Sequence, residues 1–237
     1  MENKSSYTQL LDLARSITSE EVRRVVLEIL ENPVLTFTTA KPLISLEESP
    51  AAPRKHHFFK GGLLVHTTSV ARLALELAKI LEEVYGLHVD RDIALAAALL
   101  HDIFKYYQYE VDESQGGYKL REDWFLGHDY AIVAELARRG APDKLVRAVS
   151  EVHGLVPFST IEGLVVNLAD SIDARLGEQL QNMVLSKVKS LEAEQCKIFK
   201  ALNYAIEKYS VKGVFSLLQS NPEELRKIIE DLCKSLK

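Results

Sequence analysis

Leu99-Leu100-His101-Asp102-Ile103-Phe104-Lys105 places a histidine and an aspartate side by side at the end of an apolar segment. Residues 93 to 100, which lead into this pair, are all apolar and predict a helix that is surrounded by protein on every side. Burying an imidazole and a carboxylate there costs free energy unless something binds them. We therefore expect a metal centre around His101 and Asp102.

Length and composition are those of an ordinary globular chain. Its 237 residues, 47% hydrophobic and 27% charged, are enough for one large core with a helical extension. The apolar run before the pair is far shorter than the roughly 18 residues that suggest a membrane span. No export signal is recognised at the N-terminus, so we expect a cytoplasmic protein with no membrane partner.

Charge and cysteine usage give no support to nucleic-acid binding or to a framework of disulfides or zinc, although a local basic pocket stays open. The net charge of -5 provides no general attraction for nucleic acid. Cys196 and Cys233 are far apart and distant from every histidine, which fits neither a disulfide framework nor a zinc ribbon. We expect both cysteines to be packing residues.

Apolar residues recur at helical spacing along most of the chain and predict an all-α fold. Thr18, with Glu21 three residues on, has the pattern of a capping box between two N-terminal helices. Residues 106 to 123 instead predict two short strands about a glycine turn, either a lid or a surface hairpin. The predicted helices are two within 7 to 31, then 63 to 85, 91 to about 105, 128 to 139, 142 to 152, and further helices from 160 onward.

We expect three parts along the chain. Residues 1 to 53 form an N-terminal helical segment and a proline-rich connector, and residues 54 to 180 form the core. Residues 181 to 237 form a C-terminal helical extension that packs on the core or serves as a partner surface. A homodimer through the terminal helices is one such use.

Six histidines and aspartates fall at the ends or on the inner faces of predicted helices. His66 alone would be explained as a core histidine bonded to a carbonyl, so the prediction depends on the whole set. Imidazoles and carboxylates without thiolates suit Mn, Fe, Co, Ni or Mg better than a structural zinc ion. The set is His66, His101, Asp102, His128, His153 and Asp170.

The order of this set resembles the HD superfamily of metal-dependent phosphohydrolases, over about Arg54 to Arg175. The matching stretches are Gly61-Gly62-Leu63-Leu64-Val65-His66-Thr67, the opening heptapeptide, Gly127-His128, Val152-His153-Gly154 and Ala169-Asp170. They look most like the HD part of bacterial 3'-5' exoribonucleases, which carry an additional OB-type domain. Residues 1 to 50 here predict helices and a connector, so a small substrate is expected rather than long nucleic acid.

The resemblance implies an all-α HD-domain bundle and a ligand set. His66, His101, Asp102 and Asp170 would hold one divalent ion, and Asp102 would bridge to a second ion held by His128 and His153. One or two ions are implied, with Mn or Fe favoured. The implied reaction is hydrolysis of a phosphomonoester or phosphodiester of a nucleotide or short oligonucleotide by a metal-bound hydroxide.

Three departures from the family pattern bear on the second ion. Val152 stands where relatives with a well-populated second metal often have histidine, Phe104 stands where glycine is common, and Val65 stands where the most similar local motif has glutamate. An arrangement with one metal, in which His128 and His153 contact phosphate, therefore stays open.

The resemblance also suggests residues that contact substrate. Lys105 would bind phosphate beside the catalytic Asp102 and His128. His57 and Lys60, together with His56, would line a phosphate pocket or form an exposed loop. Asp173 would contact substrate, orient a ligand or form a surface ion pair.

Two other functions remain as alternatives. Some HD-fold proteins, such as myo-inositol oxygenase, have a similar ligand order but use a di-iron centre for oxygen chemistry. The other alternative is a regulatory module that keeps the metal without turnover. Lys105 favours phosphate over the oxygenase.

Overall fold

The apolar segment before His101 forms a short helix at the centre of the protein. In the computed structural model, which describes residues 6 to 52, 55 to 114, 116 to 188 and 197 to 235, this helix is α4 (Arg91–Leu100). From Ile93 to Leu100 no side chain is more than 4% exposed. Helices before and after it in the chain contact it on several sides, as expected for a helix without a polar face.

The rest of the described chain is almost wholly helical, which confirms the predicted all-α class. A 3-10 turn, Lys105–Gln108, follows α4, and the only sheet in the described part is an antiparallel pair in which Tyr109 faces Leu120. The remaining elements are α1 (Ser6–Arg15), α2 (Glu20–Glu31), α3 (Gly62–Tyr85), β1 (Tyr109–Asp112), β2 (Gly117–Leu120), α5 (His128–Arg138), α6 (Asp143–Glu151), α7 (Ile161–Val188), α8 (Ile198–Ser220) and α9 (Pro222–Ser235).

Helix α4 ends earlier than the sequence predicts. The apolar pattern predicts a helix to about Lys105, but the last helical residue is Leu100. The chain then tightens, because the amide of Ile103 donates to Leu100 and the amide of Lys105 donates to Asp102. The metal-competent pair thus lies in a turn rather than in a helix.

The predicted capping box at Thr18 is wrong. Ser19 caps α2, and its side chain accepts from the amide of Val22. Thr18 instead donates through its amide and its hydroxyl to the carboxylate of Asp92 on α4, at 3.0 and 2.6 Å. A long-range partner therefore replaces the local one and ties the N-terminal helices to the central helix.

The connector between α2 and α3 is irregular, as its prolines predict. Leu35, Ile44 and Leu46 are buried in the main core, so the connector wraps it. Residues 53 and 54, at the predicted boundary between the first two parts, lie outside the described residues. The predicted boundary after residue 180 falls within α7, which continues without a break to Val188.

A second apolar cluster joins the C-terminal helices to the end of α7. Phe59 and Val184 pack there with buried residues of α8 and α9. Cys233 is buried in this cluster and is disulfide-bonded, which contradicts the expectation of two packing cysteines; Cys196 lies outside the described residues. None of the described helices is long and apolar enough to cross a membrane.

A buried carboxylate on α5 fixes the connector to the core. Glu135 is fully buried and accepts hydrogen bonds from the amide and hydroxyl of Thr36, at 2.8 and 3.0 Å. Arg139 lies 2.7 Å from the same carboxylate and donates further to the carbonyl of Val34. One side chain thus satisfies donors from two segments.

Replacing Glu135 should destabilise the fold much more than replacing an exposed acid. Glu135→Ala leaves the amide and hydroxyl of Thr36 and the Nε of the partly buried Arg139 without their acceptor, and we expect a loss of about 3 kcal/mol. The matched control is Glu28→Ala, which removes an exposed ion pair with Arg24 and should cost about 0.5 kcal/mol or less. Urea unfolding followed by circular dichroism measures both, and similar losses would contradict this role for Glu135.

Candidate metal centre

The structure brings the six predicted ligands together from five helix ends and faces. His66 lies on α3, and Asp170 lies on α7. The pair of His101 and Asp102 follows α4, His128 is the first residue of α5, and His153 comes just after α6. Ends and inner faces of five helices therefore meet at one point.

Four of these residues form one group. His66 Nε2 lies 3.1 Å from Asp170 Oδ1 and 3.4 Å from Asp102 Oδ2. His101 Nε2 lies 3.5 Å from the same oxygen of Asp102. One ligand atom from each of the four lies within 4.8 Å of the others, a spacing that suits a common ion.

A second group is built on the other oxygen of Asp102. His128 Nε2 and His153 Nε2 lie 3.1 and 3.4 Å from Asp102 Oδ1, and 3.2 Å from each other. The two carboxylate oxygens of Asp102 thus face different groups. This is the arrangement of a carboxylate that bridges two positions.

The rings are oriented by hydrogen bonds at their other nitrogen. His66 Nδ1 lies 2.7 Å from Asp173, and His101 Nδ1 lies 2.9 Å from the carbonyl of Ala98. Gln108 lies 3.1 Å from Nδ1 of His128. The acceptors beside His66 and His101 place a proton on Nδ1 and leave Nε2 available to a metal, whereas the amide nitrogen of Gln108 donates to Nδ1 of His128.

Unpartnered buried atoms show that a cation fits the site. His66 Nε2, His101 Nε2 and Asp102 Oδ1 are buried and make no hydrogen bond within the described chain. Leaving such atoms unpaired is costly, and all three point into the two groups. Nitrogen and oxygen donors of this kind suit borderline and hard divalent ions.

The pKa values reflect a surplus of negative charge. Burial alone lowers the pKa of His66, but the carboxylates of Asp102, Asp170 and Asp173 raise it to about 10. His101, whose environment is dominated by burial, has its pKa lowered to about 4. The carboxylates thus hold a proton on His66, and a metal ion that binds there takes the place of that positive charge.

Lys105 is the cation next to Asp102. Its Nζ lies 2.5 Å from Asp102 Oδ2, and the residue is only 9% exposed. Burial raises the pKa of Asp102, but the charges of Lys105 and His101 lower it well below the ordinary value. An ammonium group is therefore present at the edge of the first group.

The other predicted substrate contacts lie in different places. Asp173 is buried behind His66, with His57 Nε2 3.7 Å from its carboxylate. Lys60 pairs with Glu207 at 2.9 Å and with Glu48 at 3.7 Å, beside α8. Asp173 and His57 thus support His66 from behind, whereas Lys60 is held by acidic partners.

Sequence reasoning missed several supporting residues. Glu151 is buried, and its carboxylate accepts from the amides and hydroxyls of both Ser159 and Thr160. These bonds fix the loop after His153. No sequence pattern indicated a role for Gln108, because its contact with His128 depends on how the residues between the two fold.

Comparisons with known proteins give one matching family model and several relatives. The family model described as the HD domain matches residues 63 to 175. The dihydroneopterin 2',3'-cyclic phosphate phosphodiesterase of Methanocaldococcus jannaschii is 36% identical over 209 residues, which cover 86% of this chain and 83% of that protein. No solved structure was found to match.

Ribonucleases are among the relatives too. The 3'-5' exoribonuclease YhaM of a Geobacillus strain is 27% identical, over 90% of this chain and 66% of that protein. Ribonuclease Y of Acetivibrio thermocellus is 31% identical over 55% of this chain but only 21% of its own length. This chain therefore spans about two thirds or less of these ribonucleases.

Removing the carboxylate behind His66 should weaken metal binding. Asp173→Asn loses the charge that orients His66 and increases its basicity, so we expect Mn(II) affinity to fall about 10-fold or more. Electron paramagnetic resonance of free Mn(II) during a titration measures this. Asp231→Asn, at an exposed position on α9, is the control and should bind as the wild type does. Equal affinity in both variants would rule out the role given to Asp173.

Proposed function

Because the chain belongs to the HD-domain family of metal-dependent phosphohydrolases, we propose that it uses two divalent ions to hydrolyse a small 2',3'-cyclic phosphodiester. The observation that carries the two-ion arrangement is the orientation of Asp102, whose two oxygens face separate groups of imidazoles. The cyclic phosphodiester is supported by the similarity to the phosphodiesterase of Methanocaldococcus jannaschii.

The ligand roles follow the two groups. His66, His101, Asp102 and Asp170 would hold one ion, and Asp102 with His128 and His153 would hold the second. Bound divalent ions lower the pKa of water and neutralise charge on phosphate oxygens. The donor set admits Mn, Fe, Co, Ni or Mg, and we favour Mn or Fe.

The chain's own residues supply the remaining chemistry. Lys105 provides an ammonium group beside Asp102, where it would bind a phosphate oxygen and offset the charge that builds up there. His66, His101 and Asp102 are almost completely buried, so water reaches the site mainly from the side of His128, His153 and Asp170. Substrate would enter from that more exposed side.

The second group has an alternative use. Val152 is fully buried, and its carbonyl accepts from Asn167, so it offers no side-chain ligand next to His153. With a single ion, His128 and His153 would contact phosphate through Nε2. Three candidate ligand atoms within 4.8 Å of one another favour the second ion.

A small substrate is favoured over a long polymer. The similarity covers 83% of the cyclic phosphate phosphodiesterase, against 66% of the Geobacillus exoribonuclease. The net charge of -5 adds no general attraction for a polyanion. A cytoplasmic location and a homodimer through the terminal helices stay predictions.

A substrate panel tests the function. With Mn(II) bound, the protein should hydrolyse dihydroneopterin 2',3'-cyclic phosphate or a nucleoside 2',3'-cyclic monophosphate faster than a short oligoribonucleotide or p-nitrophenyl phosphate. EDTA should abolish the reaction, and Mn(II) should restore it. No hydrolysis of any phosphoester after loading with Mn(II) or Fe(II) would reject the proposal, and oxygen-dependent turnover would favour the oxygenase.

Variants in the same assay test whether Lys105 contributes by contacting phosphate, as opposed to adding positive charge anywhere on the protein. Lys105→Ala should lower kcat/KM by roughly 100-fold while the bound metal content is retained. Lys119→Ala is the control, because Lys119 is exposed and pairs with Glu110 in the hairpin. An unchanged kcat/KM in Lys105→Ala would contradict the contact with phosphate.

A further inference from the structure

The loop before α3 brings an unexplained histidine to the edge of the metal centre. The ring of His56 lies 5.1 Å from that of His66, and its Nε2 is buried with no hydrogen-bond partner in the described chain. One nitrogen each of His56, His57 and His66 lies within 4.8 Å of the other two. A buried polar atom without a partner is costly and points to a ligand.

Two amide side chains hold this loop in place. Gln181, buried on α7, accepts from the amide of Phe58 and donates to the carbonyl of Lys55, both at 2.7 Å. Asn203 on α8 accepts from the amide of Lys60 at 2.6 Å. The position of His56 is therefore set by fixed backbone on both sides.

The surroundings of His57 show that the loop is tightly packed. Its φ of 47° is in the left-handed region, which a non-glycine residue adopts only at a cost. A Cβ at Gly177 would lie 2.1 Å from its ring, and a Cβ at Gly62 would lie 2.0 Å from its carbonyl oxygen. Two glycines thus make room for a strained residue next to His56.

His56 adjoins a series of neighbouring histidine rings. Neighbouring ring centres are 5.7 Å apart from His66 to His101 and from His101 to His153, and 4.9 Å apart from His153 to His128. His56 joins this series at His66, a member of the first ligand group. A substrate oxygen next to a phosphate held at the first group would therefore lie near His56.

The three neighbouring histidines do not form a further metal site. His66 Nδ1 is engaged by Asp173, and its Nε2 faces Asp102 and Asp170. Only His56 and His57 would remain, each with one buried nitrogen that has no hydrogen-bond partner in the described chain, and two imidazoles are fewer ligands than a divalent ion takes. A hydrogen-bonding role for His56 fits the contacts better.

Resting on the proposed function, we infer that His56 binds the substrate oxygen that becomes the free hydroxyl next to the phosphate. When water attacks the cyclic phosphodiester, its oxygen bonds to phosphorus and one of the two ring P–O bonds breaks. The proton from water ends on the released oxygen, which leaves a phosphomonoester beside a hydroxyl. An imidazole nitrogen either donates to or accepts from such a hydroxyl.

Product analogues that differ only in this hydroxyl test the inference. Adenosine 3'-monophosphate carries it, and 2'-deoxyadenosine 3'-monophosphate lacks it. The Mn(II)-loaded wild type should bind the ribo compound about 10-fold more tightly in isothermal titration calorimetry. His56→Ala should lose this preference, with the affinity for the deoxy compound and the Mn(II) content unchanged.

Further variants test whether the loss of the ribo preference is specific to the His56 ring. His56→Asn, with a polar side chain too short to reach the same point, should also lose the preference, and Gly177→Ala should reduce it by displacing His57. His88→Ala, at an exposed site, should keep it. Melting curves check that each variant folds.

Three results would overturn the inference. These are a preference that persists in folded His56→Ala, an equal fall of both affinities, and a loss of Mn(II); the last two assign His56 to phosphate or metal. Wild type that hydrolyses cyclic phosphates but shows no ribo preference rejects the inference alone. Wild type that neither hydrolyses a phosphoester nor binds either analogue rejects the proposed function, and the inference falls with it.

Discussion

The carboxylate of Asp102 is fully buried at the point where the helices of the site meet. A charge in that position is stable only with compensating charge and hydrogen bonds. Lys105 provides one cation, and four imidazoles lie around the two carboxylate oxygens. The apolar helix α4 carries Asp102 into the core, and the other ligands come from helices packed around it.

Helix α7 carries residues with three different roles in the site. Asp170 faces the first ligand group, and Asp173 fixes the ring of His66. Gly177 leaves space for His57, and Gln181 binds the backbone of the loop before α3 that carries His56 and His57. Residues three or four apart share a helix face, so one stripe of α7 aligns ligand, orienting carboxylate and loop.

The sequence predicts the parts of this arrangement that depend on local pattern. Helix α3 and its end at Gly86 follow from periodicity and from a glycine in the left-handed conformation. The ordered histidines and aspartates were identified by family resemblance. Long-range contacts were not predictable: Thr18 hydrogen-bonds to Asp92 instead of forming a local cap, and Gln181 and Gly177 contact a loop that lies 120 residues or more away in the sequence. The early end of α4 likewise depends on the tertiary contacts of the turn.

Anomalous scattering at the manganese edge from crystals grown with Mn(II) would show whether Asp102 bridges two ions. We expect two peaks, one on each side of the Asp102 carboxylate. His66, His101 and Asp170 should surround the first peak, and His128 and His153 should lie beside the second. A single peak would contradict the bridging role of Asp102, and no peak among these six residues would contradict the metal centre itself.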